Sequence, residues 1–172
     1  MAHRARAFGM SIIYHNRNQL SPELEGGATY VSFDELLAKS DVLSLNLSLN
    51  AKTKHIISAP QLAACKKGAV IVNTARGGLI KEIDLVSALE SGHIGAVGLD
   101  VFEEEPKIHP GLVKNEKAFL MPHMGTWTVE TQREMELLVL QNLESGVDSG
   151  KLITRIAEQK GLPWANDEQS KL

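Results

Sequence analysis

The sequence predicts a doubly wound α/β protein with a parallel sheet, and three observations carry that expectation. Short apolar runs alternate with helix-length segments along the chain, the pattern of strands joined by crossovers. One run, Ala69-Val70-Ile71-Val72, is continuous and β-branched, as in a strand covered on both faces. Three polar stretches, Asn73 to Gly78, Asp100 to Pro106 and Pro122 to Gly125, each follow an apolar run. In an open parallel sheet the carboxyl ends of the strands form the ligand crevice, so this placement brings an arginine, a carboxylate and an imidazole to one edge.

Taken in order, Met1 to Phe8 reads as the last turns of a helix closed by Gly9, a position glycine favours because it accepts a left-handed backbone. Ser11–Tyr14 is the first strand, and Ala28–Val31 is a brief peripheral one. Ser32 with Glu35 three residues on makes a capping box, opening a helix whose Phe33, Leu36 and Leu37 share a face. Val42–Leu47 is the next strand. Ser58 then caps a short helix reaching Cys65, with Pro60 tolerated in its first turn. The strand Ala69–Val72 and a helix from Glu82 to Ser91, ended by Gly92, precede strands Ala96–Leu99 and Ala118–Met121. A long helix runs from about Thr128 to Glu144, with Met135, Leu138 and Leu143 on its apolar side, and another short helix falls between Gly146 and Lys160.

Composition excludes several classes. With 172 residues the chain has room for one ordinary domain, and 43% hydrophobic residues suffice for a core. A net charge of −3, with basic residues scattered, gives no surface for nucleic acid or an anionic membrane. No apolar stretch approaches the length of a membrane span. Cys65 stands alone, which excludes an internal disulfide framework; it reads as a small core or boundary residue. No metal ligand set is assigned.

One element is absent. Dinucleotide-binding sheets of the Rossmann type begin with a strand, a Gly-rich turn and a helix whose N-terminus holds the pyrophosphate. No G-x-G-x-x-G separates a strand from a helix here, and the opening helical turns stand where that helix would end. The first strand is central in the usual order. The sheet is therefore expected to be cut between Ser11–Tyr14 and Val42–Leu47, as in an N-terminally truncated domain.

The motifs Val72-Asn73-Thr74-Ala75-Arg76-Gly77-Gly78-Leu79-Ile80, Gly98-Leu99-Asp100-Val101-Phe102-x-x-Glu105-Pro106 and Met121-Pro122-His123-x-Gly125, in this order, resemble the D-isomer-specific 2-hydroxyacid dehydrogenase family. The likeness is to its glyoxylate/hydroxypyruvate reductase branch and extends from Phe8 to about Gly146. The resemblance implies a substrate-binding role for Arg76, whose planar guanidinium holds a carboxylate through paired hydrogen bonds. It implies that His123 is the general acid and base, since imidazole titrates near neutrality, and that Glu105 orients it and favours its protonated form. Glu103 and Glu104 match nothing in the family and read as solvated loop charges. Asp100 matches an acid beside the nicotinamide. Thr74, Ala75 and Gly125 fall where backbone approaches cofactor and substrate, and Leu47 and Ser48 fall in a segment passing over the cofactor. The proline usual near Ser48 is missing here.

Cofactor choice rests on Asn16 and Arg17. An acid after the second strand binds the ribose 2′-hydroxyl of NAD, whereas an arginine accommodates the 2′-phosphate of NADP. With Asn16-Arg17 in that place, NADP is favoured over NAD. The expected reaction is reduction of a small 2-keto acid such as glyoxylate or hydroxypyruvate. The alternatives are a dinucleotide-sensing, corepressor-like interaction protein and an inactive remnant. Formate dehydrogenase, a relative, is disfavoured because its pattern lacks the glutamate at the position of Glu105.

Residues 1–127 are expected to form the partial dinucleotide-binding domain, 128–146 a helix leading toward a substrate domain, and 147–172 a C-terminal segment and tail. The resemblance also implies a homodimer in the full-length protein. Ser170-Lys171-Leu172 matches the tripeptide read by the peroxisomal import receptor, pointing to the peroxisomal matrix, with the cytoplasm as the alternative.

Overall fold

Parallel pairing dominates the computed structural model, which describes residues 1–155. The order is α1 (Ala2–Ala7), β1 (Ile13–Tyr14), α2 (Pro22–Glu25), β2 (Thr29–Tyr30), α3 (Phe33–Lys39), β3 (Val42–Leu45), α4 (Ala59–Ala64), β4 (Ala69–Asn73), a 3₁₀ turn (Gly77–Leu79), α5 (Glu82–Glu90), β5 (Ile94–Leu99), α6 (Pro110–Val113), β6 (Ala118–Leu120) and α7 (Val129–Ser149). Strands β3-β4-β5-β6 lie side by side in sequence order. Their register places Leu43 beside Ile71, Ile71 beside Val97 and Val97 beside Ala118. This is the parallel α/β, Rossmann-type architecture expected from the sequence.

The core follows from the strand alternation. Leu43, Leu45, Ile71, Ile94, Val97 and Leu99 are buried from the sheet, and Leu37, Leu62, Leu85 and Leu89 from α3, α4 and α5. Each such side chain contributes about 1.5–3 kcal/mol when fully buried, so the helix layer is held by apolar burial rather than by its exposed charges. On β4 only Ala69, Ile71 and Asn73 are buried; Val70 and Val72 are partly open. The expectation that this strand is fully covered on both faces is therefore corrected.

The sheet is interrupted between β1 and β3, as expected from the sequence. Strands β1 and β2 form a separate two-stranded sheet, pairing Ile13 with Thr29 and Tyr14 with Tyr30. Local signals were accurate. Gly9 follows α1 with φ +76°, and Gly92 follows α5 with φ +73°. The Ser32–Glu35 capping box forms, with Glu35 N–H donating to Ser32 Oγ (3.1 Å) and Ser32 N–H to Glu35 Oε2 (3.2 Å). Cys65 is buried at the end of α4, and burial pushes its thiol pKa up.

The chain divides between Met124 and Gly125. In the second unit α7 is capped by Thr128, whose Oγ1 accepts from Thr131 N–H (3.1 Å), and continues unbroken through Ser149. It thus occupies the start of the stretch where a further short helix was expected; residues 156–172 lie outside the described residues, as does the Ser170-Lys171-Leu172 tripeptide. Met135, Leu138 and Leu143 are exposed on α7. No helix among the described residues is long and apolar enough to cross a membrane.

Candidate active site

Three loops leave the carboxyl ends of β4, β5 and β6, and a histidine–carboxylate pair bridges two of them. His123 Nδ1 lies 2.7 Å from Glu105 Oε2. Glu105 Oε1 accepts from Phe102 N–H (2.9 Å), so the carboxylate is fixed from both sides. The hydrogen bond from His123 holds the Glu105 pKa below the usual carboxylate range against the opposing effect of desolvation; the Phe102 N–H and the charges of His123 and Arg76 act in the same lowering direction. Because an ionised carboxylate only accepts, His123 carries a proton on Nδ1 and turns Nε2 away from Glu105. The backbone of His123 is left-handed, φ 51°, a conformation uncommon for a residue with a side chain.

Arg76 sits in a turn built by Asn73. The Asn73 side chain is buried; its Nδ2 donates to Arg76 C=O (2.9 Å) and its Oδ1 accepts from Ala75 N–H (3.1 Å). That arrangement exposes Thr74 and the Arg76 guanidinium, one arm of which donates to Ala75 C=O (2.6 Å). The turn then runs against the acidic loop: a Cβ placed on Gly77 would stand 1.9 Å from the Phe102 carbonyl carbon and oxygen. Only glycine permits this approach, and it brings the Arg76 and Glu105 loops together.

Asp100 is buried at the end of β5, and its Oδ1 accepts from Met124 N–H (2.8 Å). It ties the His123 loop to the sheet, which adds a structural duty to the cofactor-side role expected of it. Leu47 packs partly against the core, while Ser48 is exposed. Strand β3 ends at Leu45, two residues short of expectation. Beyond it Thr53 Oγ1 donates to Ser48 C=O (2.7 Å) and accepts from Asn50 N–H (2.8 Å), closing the loop that lacks the family's proline. Asn16 and Arg17 are exposed in the loop after β1 and are not among the groups gathered around Glu105. The Tyr30 hydroxyl donates to Asn16 C=O (3.0 Å), fixing that turn. Gly125 opens the second unit.

Glu103 departs from the sequence expectation. It is not a solvated charge: its Oε2 accepts from Glu82 N–H (3.0 Å), its own N–H donates to Glu82 Oε1 (2.6 Å), and its Oε1 meets His55 Nε2 (2.5 Å). Sequence reading missed His55, Glu82 and the anchoring role of Asn73. An Asn at a strand end before a tight turn was the one available signal, since its amide commonly closes such turns.

Comparison with known proteins identifies the family. Residues 1–125 match the model of the D-isomer specific 2-hydroxyacid dehydrogenase, NAD binding domain. The chain is 64% identical over 162 residues to 4-methyl-2-oxopentanoate reductase A of Aspergillus oryzae, covering 94% of this chain and 49% of that protein. The crystal structure of a glyoxylate reductase from Paecilomyes thermophila superposes with a TM-score of 0.89 at 66% identity, covering 92% of this chain and 48% of the other. An NADPH-dependent glyoxylate/hydroxypyruvate reductase from Sinorhizobium meliloti, solved in complex with NADP and malonate, gives a TM-score of 0.86 at 34% identity, covering 91% of this chain and 49% of the other. The chain thus spans about half the length of the relatives it matches. By its matched domain and its relatives, it belongs to the D-isomer specific 2-hydroxyacid dehydrogenase family.

Proposed function

We propose that this chain supplies the cofactor-binding and proton-transferring half of an NAD(P)-dependent reductase that converts a small 2-keto acid into its D-2-hydroxy acid. The observation carrying this reading is the Glu105–His123 pair beside the loop of Arg76. The donor set fits a nicotinamide dinucleotide and a keto acid: a permanent cation for the substrate carboxylate, a titratable imidazole for its carbonyl, and a tight, exposed backbone turn at residues 74–76. A bound nicotinamide would supply the hydride. Arg76 pairs with the carboxylate and draws charge toward the carbonyl oxygen. His123 delivers the Nε2 proton to that oxygen while Nδ1 stays on Glu105, and Glu105 stabilises the imidazolium before transfer. In the oxidative direction the same nitrogen takes the hydroxyl proton.

Glyoxylate and hydroxypyruvate are the substrates this reading favours. Relatives that include a 4-methyl-2-oxopentanoate reductase and a glyoxylate reductase support a short aliphatic 2-keto acid. NADP is preferred to NAD on the exposed Asn16-Arg17 pair, and the NADP-bound relative is consistent with it. Assembly as a homodimer and entry to the peroxisome through Ser170, Lys171 and Leu172 complete the proposal.

The test is NAD(P)H oxidation by the full polypeptide with glyoxylate, hydroxypyruvate and 4-methyl-2-oxopentanoate. Keto acid-dependent oxidation, faster with NADPH, is expected. The Arg76→Gln variant is expected to lose about 10²–10³-fold in kcat/KM. Absence of keto acid-dependent oxidation, or an unaltered Arg76→Gln variant, overturns the reading.

A further inference from the structure

We propose that Glu103, held by His55 and Glu82, is a positioning residue that fixes the Glu105–His123 pair and locks the loop following Ser48 to the same frame. Three segments meet at this junction. The loop after Ser48 ends at His55, whose backbone N–H donates to Gly78 C=O (2.8 Å) and whose Nε2 contacts Glu103 (2.5 Å). The turn that carries Arg76 is packed, at Gly77, onto the Phe102 carbonyl and the Glu103 nitrogen. The acidic loop is fastened to α5 by the reciprocal pair in which Glu103 and Glu82 each accept the other's N–H. Glu105 is two residues further on and takes its second hydrogen bond from Phe102, the residue immediately before Glu103. The Glu103 contacts therefore set the height and direction at which the Glu105 carboxylate leaves the loop.

Two features show that the junction is more than a surface contact. Glu82 is buried, and His55 and Glu103 are each half-buried, so these hydrogen bonds are partly shielded from water. His55 also adopts a left-handed backbone, φ 54°, although it carries a side chain. The charged groups around Glu103 are His55, Glu82 and Lys54; those around Glu105 are His123 and Arg76.

The inference rests on the proposed reaction only for its catalytic meaning. Its test involves no turnover, so the two fail separately. The experiment is a pH titration of the Glu105 carboxyl by carbon NMR in the ¹³C-glutamate-labelled chain, assigned with Glu105→Gln. Glu105 begins below the ordinary carboxylate range, so its ionised, His123-bound form is present above its depressed pKa and is lost as pH falls through it. Glu103→Ala removes a neighbouring negative charge, which by charge alone lowers the Glu105 midpoint. Loss of positioning weakens the bonds from His123 and Phe102 and raises it. A rise of about half a unit or more is expected. Glu103→Gln keeps groups able to accept from Glu82 and to meet His55, and gives no rise. Glu35, held down to about 2 chiefly by its hydrogen bond from Lys39 and then by Ser32, stays fixed as the internal reference.

Should Glu103→Ala fail to fold, His55→Asn decides, because asparagine tolerates the left-handed backbone and removes only the imidazole arm. It is expected to give a smaller rise. A Glu105 midpoint unchanged or lowered in the folded variant overturns the proposal and leaves Glu103 a fold staple alone.

Discussion

At the residue scale, the site is organised by what single atoms exclude. Gly77 is the sharpest case: a Cβ there would stand 1.9 Å from the Phe102 carbonyl, far inside van der Waals contact. Gly77→Ala is expected to cost about 2 kcal/mol or more, read as a lowered midpoint in thermal or urea unfolding. The proposed trio of Arg76, Glu105 and His123 was named from the motifs and their order, and the structure sets two of them, Glu105 and His123, in contact. Glu103 was not legible. Three glutamates in a row look alike on paper, and only the backbone path shows that one meets His55, one ends in a turn closed by Lys107, and one faces His123. His55 carried no signal either, since its partner lies 48 positions away.

At the element scale, helix and strand identities followed from periodicity, whereas lengths did not. The Ser32 and Thr128 caps and the closing glycines placed α1, α3, α5 and α7 within a residue or two at their marked ends. The four-residue α2 and α6 and the 3₁₀ turn after Arg76 escaped, because a single turn contains too few residues to display a period. Strand β3 ended early because Asn46 folds its amide back onto Ser44, with Nδ2 donating to the Ser44 carbonyl (3.2 Å). Within α5 the buried face bears the stability. Leu85→Ala is expected to destabilise by about 2–5 kcal/mol, while Ile83→Ala, on the exposed side of the same helix, changes the unfolding midpoint by under about 0.5 kcal/mol.

At the scale of the whole molecule, the separation of the two sheets governs dynamics. Among the described residues, β1 and β2 hold two residues each and pair only with one another, whereas β4 is flanked by β3 and β5. Backbone amides of Tyr14 and Val31 are therefore expected to exchange with deuterium at least tenfold faster than those of Ile71 and Val72, measured by hydrogen exchange. Equal protection across both sheets contradicts that ordering. The interruption was readable in advance, because no Gly-rich turn joins a strand to a helix among these residues. The orientation of His123 has a stereochemical outcome in the proposed reaction. With one ring nitrogen held by Glu105, only Nε2 of His123 would be left to meet a keto acid's carbonyl, with the Arg76 guanidinium for its carboxylate. Hydride would then reach the carbonyl from above or below its plane, and for a keto acid such as hydroxypyruvate the side on which the donor sits would set the handedness of the alcohol.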